Sequence, residues 1–126
     1  MPSDIAVQTF WEKALENVDS AASELTNRRY NASANRSYYA AFHAAIVALL
    51  RKGIRPQGSQ WGHSFVQAQF AGQLVTRRKA YPSSLRDTLP RLEELRQRAD
   101  YKTTHVSQTQ ALRALRRAQE FIVSVV

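Results

Sequence analysis

Cysteine is absent from the sequence of 126 residues, and only three histidines are present. The missing thiols exclude a disulfide framework and a thiolate metal site. The histidines are scattered and form no HxxxH or HxxEH pattern, so the sequence predicts no bound metal and no other cofactor. A glycine-rich phosphate loop, a GxSxG turn and a carboxylate cluster are also missing. Their absence argues against a kinase, a serine hydrolase or a two-metal nuclease.

Long apolar runs are missing as well. The longest, YYAAFHAAIVALL, has 13 residues, whereas a helix needs about 20 to cross a bilayer. The N-terminal segment MPSDIAVQTFWEKALENVDS contains acids and polar residues in place of the basic start and apolar run of a signal peptide. We therefore expect a cytoplasmic protein that makes no contact with a membrane.

Helix-breaking residues are scarce: glycine and proline number four each. No stretch alternates apolar and polar residues as a strand does. Apolar residues instead recur at every third or fourth position, which predicts amphipathic helices. Pro90 is expected to restart or kink the fourth of them, because proline cannot donate the interior hydrogen bond. The five predicted helices cover about residues 4–28, 30–52, 60–77, 85–101 and 107–126.

The second predicted helix is apolar on almost every face and contains seven alanines. This composition is typical of a helix at the centre of a bundle or at an interface, where alanines allow a neighbouring helix to approach closely. Because the connections between the helices are short, the pattern favours an all-α fold, an up-and-down helical bundle of four to five helices. The length fits a single domain over residues 1–126.

Charge is distributed unevenly along the chain. Residues 1–24 carry one lysine and five acids, a net charge of −4, whereas residues 25–126 carry 17 basic residues and five acids, a net charge of +12. Fourteen of the 18 basic residues are arginines, whose planar guanidinium group can bind phosphate through two hydrogen bonds. This favours a polyanionic partner, with nucleic acid first. An arginine-rich composition with solvated helix faces is the alternative.

Two of the three histidines follow an arginine by seven positions, and the first such pair to consider is Arg98 and His105 in RADYKTTH. His105 is predicted near the start of the last helix, where free backbone N–H groups favour an anion. Arg98 can hold a phosphate, and His105 can transfer a proton to or from an RNA oxygen. Asp100 can orient His105 or pair with Arg98, and Tyr101 can stack on a base. These residue types suffice for metal-free RNA cleavage through a 2′,3′-cyclic phosphate, and equally for a helix connection with a salt bridge.

The second pair is Arg36 and His43 in RSYYAAFH. Seven residues of helix place both on one face, two turns or about 10.5 Å apart, so that both can reach one phosphate. They lie, however, in the most apolar helix of the chain. The alternative interpretation is therefore a hydrogen-bonded core or interface histidine and a surface arginine.

The run NASANRSYYAAFHAAIVALLRKG, followed by HSFVQAQFAGQLV and then LRQRADY, resembles the HEPN domain family of prokaryotes over roughly residues 10–123. These are small helical-bundle proteins, typically dimeric. In active members an arginine, four to six residues and a histidine stand near the start of the last core helix, and two copies meet across the dimer interface to form one cleft. Arg98 and His105 match that placement. Arg36 and His43 have the spacing but lie in another helix.

The resemblance implies one of two functions. The first is a metal-independent endoribonuclease, a toxin-like homodimer of a toxin–antitoxin or phage-defence module, with Arg98 and His105 as its catalytic residues. The second is a non-catalytic adaptor or nucleotide-binding module that binds a small nucleotidyltransferase partner. For the first function we expect an RNA path lined by Arg36, His43, Lys102, Arg77, Arg78 and Lys79.

Overall fold

The computed structural model describes residues 4–126, and no strand occurs among them. The chain forms an all-α bundle, as the apolar periodicity predicts. The α-helices are α1 (Asp4–Thr26), α2 (Tyr30–Arg51), α3 (His63–Gln69), α4 (Thr88–Tyr101) and α5 (Gln108–Val125). None of the helices in this part of the chain is long and apolar enough to cross a membrane.

Helix α2 lies at the centre of the bundle and contacts α1, α3, α4 and α5. Its apolar residues are buried on all sides, and among them Tyr38, Val47 and Leu49 have no exposed surface. The alanines of α2 allow this, because a methyl side chain lets several neighbouring helices approach the same backbone. The helix ends as predicted at Gly53, which adopts a φ of +75°. The N–H groups of Gly53 and Ile54 bond the carbonyl groups of Leu50 and Leu49, as in a Schellman motif.

The third predicted helix changes its geometry halfway. After α3 the chain continues as a π-helical segment, Phe70–Arg77, in which hydrogen bonds span five residues instead of four. The wider turn brings Phe70, Leu74 and Val75 into the core. The Phe70 ring contacts that of Phe121 in α5, with 4.8 Å between the ring centroids. A period-3.6 pattern does not predict such a segment.

The fourth helix begins later than predicted. Ser83–Leu85 forms a short 3₁₀ turn, and α4 starts at Thr88. Pro90 lies in the first turn of α4, two residues after its start, where a backbone N–H has no partner within the helix in any case, so the proline costs the helix no hydrogen bond. Ser107 caps α5, because its hydroxyl accepts from the Gln110 N–H while the Gln110 side chain accepts from the Ser107 N–H.

The close packing of neighbouring helices against the alanines of α2 can be tested with the variant Ala44→Leu. Ala44 is fully buried in the core, so we expect the larger side chain to lower the free energy of unfolding by about 1–3 kcal/mol in urea titrations. Ala32→Leu is the control in the same helix, because Ala32 lines open pockets. Equal losses for the two variants would contradict tight packing around α2.

Candidate functional site

Arg98 lies in a groove between α4 and α5 whose volume is about 470 Å³. Arg91 stands two turns before it on α4, and Arg113 and Arg117 face it from α5. Glu94 is the one acid among the lining residues, and Leu92, Leu95, Gln110 and Ala114 complete the groove. No side-chain hydrogen bond or ion pair engages any of these four arginines within residues 4–126. The groove is therefore strongly positive.

His105 lies in a separate pocket, between the α4–α5 loop and the start of α2, together with Arg28, Arg29, Tyr30 and Asn31. The side chain is exposed. Its Nδ1 is 3.0 Å from Nδ2 of Asn31, and the amide is oriented because Oδ1 of Asn31 accepts from the Val106 N–H at 2.9 Å. Nδ1 of His105 is therefore the acceptor, and in the neutral ring Nε2 carries the proton and can donate it toward solvent.

The structure does not bring Arg98 and His105 of one chain into the same pocket. Asp100 contacts neither of them. Its carboxylate instead accepts from Asn35 Nδ2 at 3.0 Å and from Arg96 Nη1 at 3.2 Å. Tyr101, at the end of α4, has 71% of its surface exposed. The catalytic role of Arg98 and His105 and the orienting role of Asp100 and Tyr101 stay predictions.

Arg36 and His43, the alternative pair, meet at one amide of α1. Oδ1 of Asn17 accepts from Arg36 Nη1 at 3.0 Å, and Nδ2 of Asn17 lies 3.2 Å from Nδ1 of His43. Nδ2 also donates to the Lys13 carbonyl oxygen at 2.9 Å, which excludes the flipped amide. Arg36 additionally donates from Nε and Nη2 to Oδ1 of Asn35. Both members of the pair are therefore occupied by bonds inside the protein.

His43 is held in the neutral form. It is half-buried, and its ring stacks on Phe10 with 5.9 Å between the centroids. Burial, with the nearby charges of Lys13 and Arg36, lowers the pKa of His43 to about 4, although a bond to the Tyr39 carbonyl opposes the shift. Because Asn17 donates to Nδ1, protonation of that nitrogen would also break a hydrogen bond. His43 is therefore a poor candidate for general acid–base catalysis near neutral pH.

Arg96 is a residue that the sequence reasoning missed. It is 6% exposed, and its guanidinium group lies over the rings of Tyr38 and Tyr39, at 5.2 and 5.7 Å. It pairs with Glu93 at 3.7 Å and with Asp100 at 3.2 Å. The spacing of three and four residues on one helix was the available signal, since such residues are neighbours on a helix face.

Tyr38 connects this arginine to α3. Its hydroxyl lies 2.6 Å from Nδ1 of His63 and accepts from Gln67 Nε2 at 3.3 Å. Glu93 lies 3.4 Å from the same hydroxyl. Burial raises the pKa of Tyr38, with Glu93 adding to the shift, so the hydroxyl keeps its proton. His63 therefore belongs to a network of structural bonds between α2, α3 and α4.

The loop after the π-helical segment carries the basic residues Arg77, Arg78 and Lys79, all exposed. Arg78 Nη1 donates to the Lys52 carbonyl oxygen at 3.3 Å, and Lys79 adopts a φ of +51°. None of the three lines the groove of Arg98 or the pocket of His105. Lys102, which follows α4, is also exposed. Whether these residues contact RNA stays a prediction.

Arg96→Met is expected to lower the free energy of unfolding by about 2–3 kcal/mol, because it removes the buried cation that pairs with both Glu93 and Asp100 and that lies over the rings of Tyr38 and Tyr39. Arg98→Met is the control on the same helix, and we expect a change of about 0.5 kcal/mol or less there. Urea titrations of both variants check this. Equal free energies of unfolding for the two variants would mean that the buried guanidinium group of Arg96 contributes nothing to stability.

His43 makes stability depend on pH in a defined direction. The unfolded chain binds a proton at this residue below its ordinary pKa of 6.5, whereas the folded chain does not until about pH 4. Acid therefore favours unfolding between these values. We expect the stability of the wild type relative to His43→Gln to fall by about 1–2 kcal/mol over this window, a value reduced for partial exposure of the ring. Parallel stability curves for the two proteins, measured by urea titration from pH 7 to 4, would contradict the assignment.

Comparison with known families gives one finding that covers nearly the whole chain. The family model of the HEPN domain matches residues 7–125. A search of curated proteins found no match.

Proposed function

The chain belongs to the HEPN domain family, and on this basis we propose that it is a metal-independent endoribonuclease. The family includes ribonucleases and nucleotide-binding adaptors, and its members often form dimers. The observation that carries the catalytic proposal is the environment of His105, which is exposed and oriented by Asn31. It contrasts with His43, which is half-buried against Phe10 and bonded to Asn17, and with His63, whose Nδ1 lies 2.6 Å from the hydroxyl of the buried Tyr38.

The reaction that fits these groups is transesterification of RNA. The ribose 2′-oxygen attacks the neighbouring phosphorus, the bond from phosphorus to the 5′-oxygen breaks, and a 2′,3′-cyclic phosphate forms. One group must accept the proton of the 2′-hydroxyl and another must donate a proton to the leaving 5′-oxygen. With Asn31 at Nδ1, His105 presents Nε2–H to the substrate, so the donor role suits it in this conformation.

A dimer supplies what one chain lacks. Arg98 and His105 lie in different pockets of the same chain. We therefore propose a composite site in which Arg98 of one subunit binds the phosphate and His105 of the other subunit donates a proton to the leaving oxygen of that phosphate. Arg98 suits the phosphate role because its guanidinium group has no partner among the residues that the structure describes.

We place this activity in a toxin–antitoxin or phage-defence module that acts on cytoplasmic RNA, with a small nucleotidyltransferase as the antitoxin. The positive surface supports RNA as the substrate, because a net charge of +8 with 14 arginines favours a polyanion. Arg36, Lys102, Arg77, Arg78 and Lys79 remain candidates for secondary contacts to the RNA. His43 is the weakest candidate among the six residues predicted to line the RNA path, because its ring is half-buried and bonded to Asn17.

The second candidate function is a non-catalytic adaptor that binds the nucleotidyltransferase or a nucleotide. One observation favours it: Arg98 and His105, the pair that matches the placement in active family members, line different pockets of a single chain. If the chain does not dimerise, or dimerises through another surface, Arg98 and His105 stay apart. The groove of arginines then serves binding alone.

His105→Ala is expected to abolish RNA cleavage in excess EDTA, because it removes the proton donor while the fold is retained. Purified wild type and variant are compared on one RNA, and the product ends are read for 2′,3′-cyclic phosphate. His43→Gln is the matched control and should cut as the wild type does. Loss of cutting in His43→Gln alone would move the site to Arg36 and His43.

The composite site has its own control. We expect Arg98→Ala and His105→Ala to be inactive alone and to regain part of the activity when mixed, because mixed dimers contain one site with both native residues. Sedimentation of the same samples must show dimers. A purified wild-type dimer that leaves RNA intact in the absence of other proteins would favour the adaptor.

A further inference from the structure

The groove between α4 and α5 is lined by more arginine than the proposed chemistry uses. Only Arg98 has a role there, yet Arg91, Arg113 and Arg117 line the same surface. Arg113 and Arg117 stand one helical turn apart on α5, and Arg91 and Arg98 stand two turns apart on α4. Two pairs of guanidinium groups thus form the two walls of one groove.

These four arginines differ in their bonding from six of the other ten, and they are the only unbonded arginines of residues 4–126 that line one groove together. Six arginines elsewhere donate side-chain hydrogen bonds within the protein: Arg29, Arg36, Arg51, Arg78, Arg86 and Arg96. The four groove arginines donate none within residues 4–126. Glu94 lines the groove as well, but it forms no ion pair with them. Four positive charges along one groove outnumber its single acid and repel one another, so the arrangement favours a polyanion that neutralises them.

The lining also indicates what part of a polyanion would bind. It contains no aromatic residue on which a base could stack, and its apolar residues are Leu92, Leu95 and Ala114. Without an aromatic side chain the groove cannot stack a base, and guanidinium groups can contact phosphates, which carry no sequence information. The next pocket along shares Arg91 and Arg117 but adds Asp87 and Glu120. The positive surface therefore ends at that side.

We propose that the α4–α5 groove is a phosphate track that holds the RNA backbone independently of its sequence. Arg91, Arg113 and Arg117 bind phosphates that flank the one held by Arg98. The proposal rests on the proposed function for the identity of the polyanion as RNA. It adds that affinity and cleavage are separable, because three of the four contacts lie away from the reacting phosphate.

The test measures binding of a fluorescent 2′-O-methyl RNA of about 12 nucleotides, a length within the range of single-strand sites. Without a free 2′-hydroxyl this probe cannot be cut. The groove variant is Arg113→Gln/Arg117→Gln. The matched control is Arg55→Gln/Arg116→Gln, which removes the same charge from exposed arginines that have no side-chain bonds and lie outside the groove. Circular dichroism and thermal melts confirm that both variants fold.

We expect the groove variant to bind about tenfold more weakly than the wild type and to lower the salt slope, the slope of log affinity against log salt, by about 1.4, because each lost phosphate contact of a single strand removes about 0.7. The control should change affinity less than about threefold. Two probes of different sequence should bind alike. Equal loss in both variants would show that only net charge matters and would overturn the track, as would no binding by the wild type at low salt.

These outcomes separate the track from the nuclease. If the wild type binds RNA through the groove but never cuts it, the phosphate track is supported and the nuclease proposal is contradicted. If the wild type cuts RNA and the groove variant binds as well as the control variant, the nuclease proposal is supported and the phosphate track is contradicted.

Discussion

The close packing of helices around α2 is the constraint from which the other features follow. A helix covered on most sides has little solvent to satisfy its polar side chains, so most of them find a partner inside the protein. The hydroxyl of Ser37 is an exception, because it is buried and has no hydrogen-bond partner among the residues that the structure describes. Ser33, which is fully buried, donates to the Ala21 carbonyl oxygen at 2.8 Å. Arg36 and His43 share Asn17, and Tyr38 bonds His63 and Gln67. The polar residues of α2 therefore determine how α1 and α3 are positioned against it.

The same constraint divides the arginines into two classes. Arg36 and Arg96 lie at helix contacts. Arg36 bonds Asn17 of α1, and Arg96 pairs with Glu93 and Asp100 of its own helix while its guanidinium group lies over Tyr38 and Tyr39 of α2. The arginines between α4 and α5 have no such bonds and face an open groove. Net charge cannot distinguish these classes, because both contribute equally to it. Bonding within the protein distinguishes them, because hydrogen bonds already engage the first class. The groove arginines are free to bind a ligand, as are Arg28, Arg55, Arg77 and Arg116, which also form no side-chain bond within residues 4–126.

The sequence predicts the helices well because the apolar period of each long helix is local information. It also predicts the central place of α2 and the end of that helix at Gly53. It does not predict the π-helical segment Phe70–Arg77, which depends on how Phe70 and Leu74 fit the core. For the candidate site, residue type and sequence spacing single out Arg98 and His105 as candidates, and their role stays a prediction. The sequence misses Asn17 and Asn31, because Asn17 contacts His43 and Asn31 contacts His105, 26 and 74 residues away, and no local pattern encodes such distances.

The acids of α1 have a consequence for how the protein would meet a large ligand. Glu12, Glu16 and Asp19 are exposed on this helix, whereas the unbonded arginines line α4 and α5. A body whose positive and negative charges sit on different elements has an electric dipole moment in addition to its net charge. In the field of a polyanion the molecule would rotate during approach, with the arginines leading and α1 trailing. Encounters would then be oriented before contact, which raises the association rate at low ionic strength and is lost as salt screens the field.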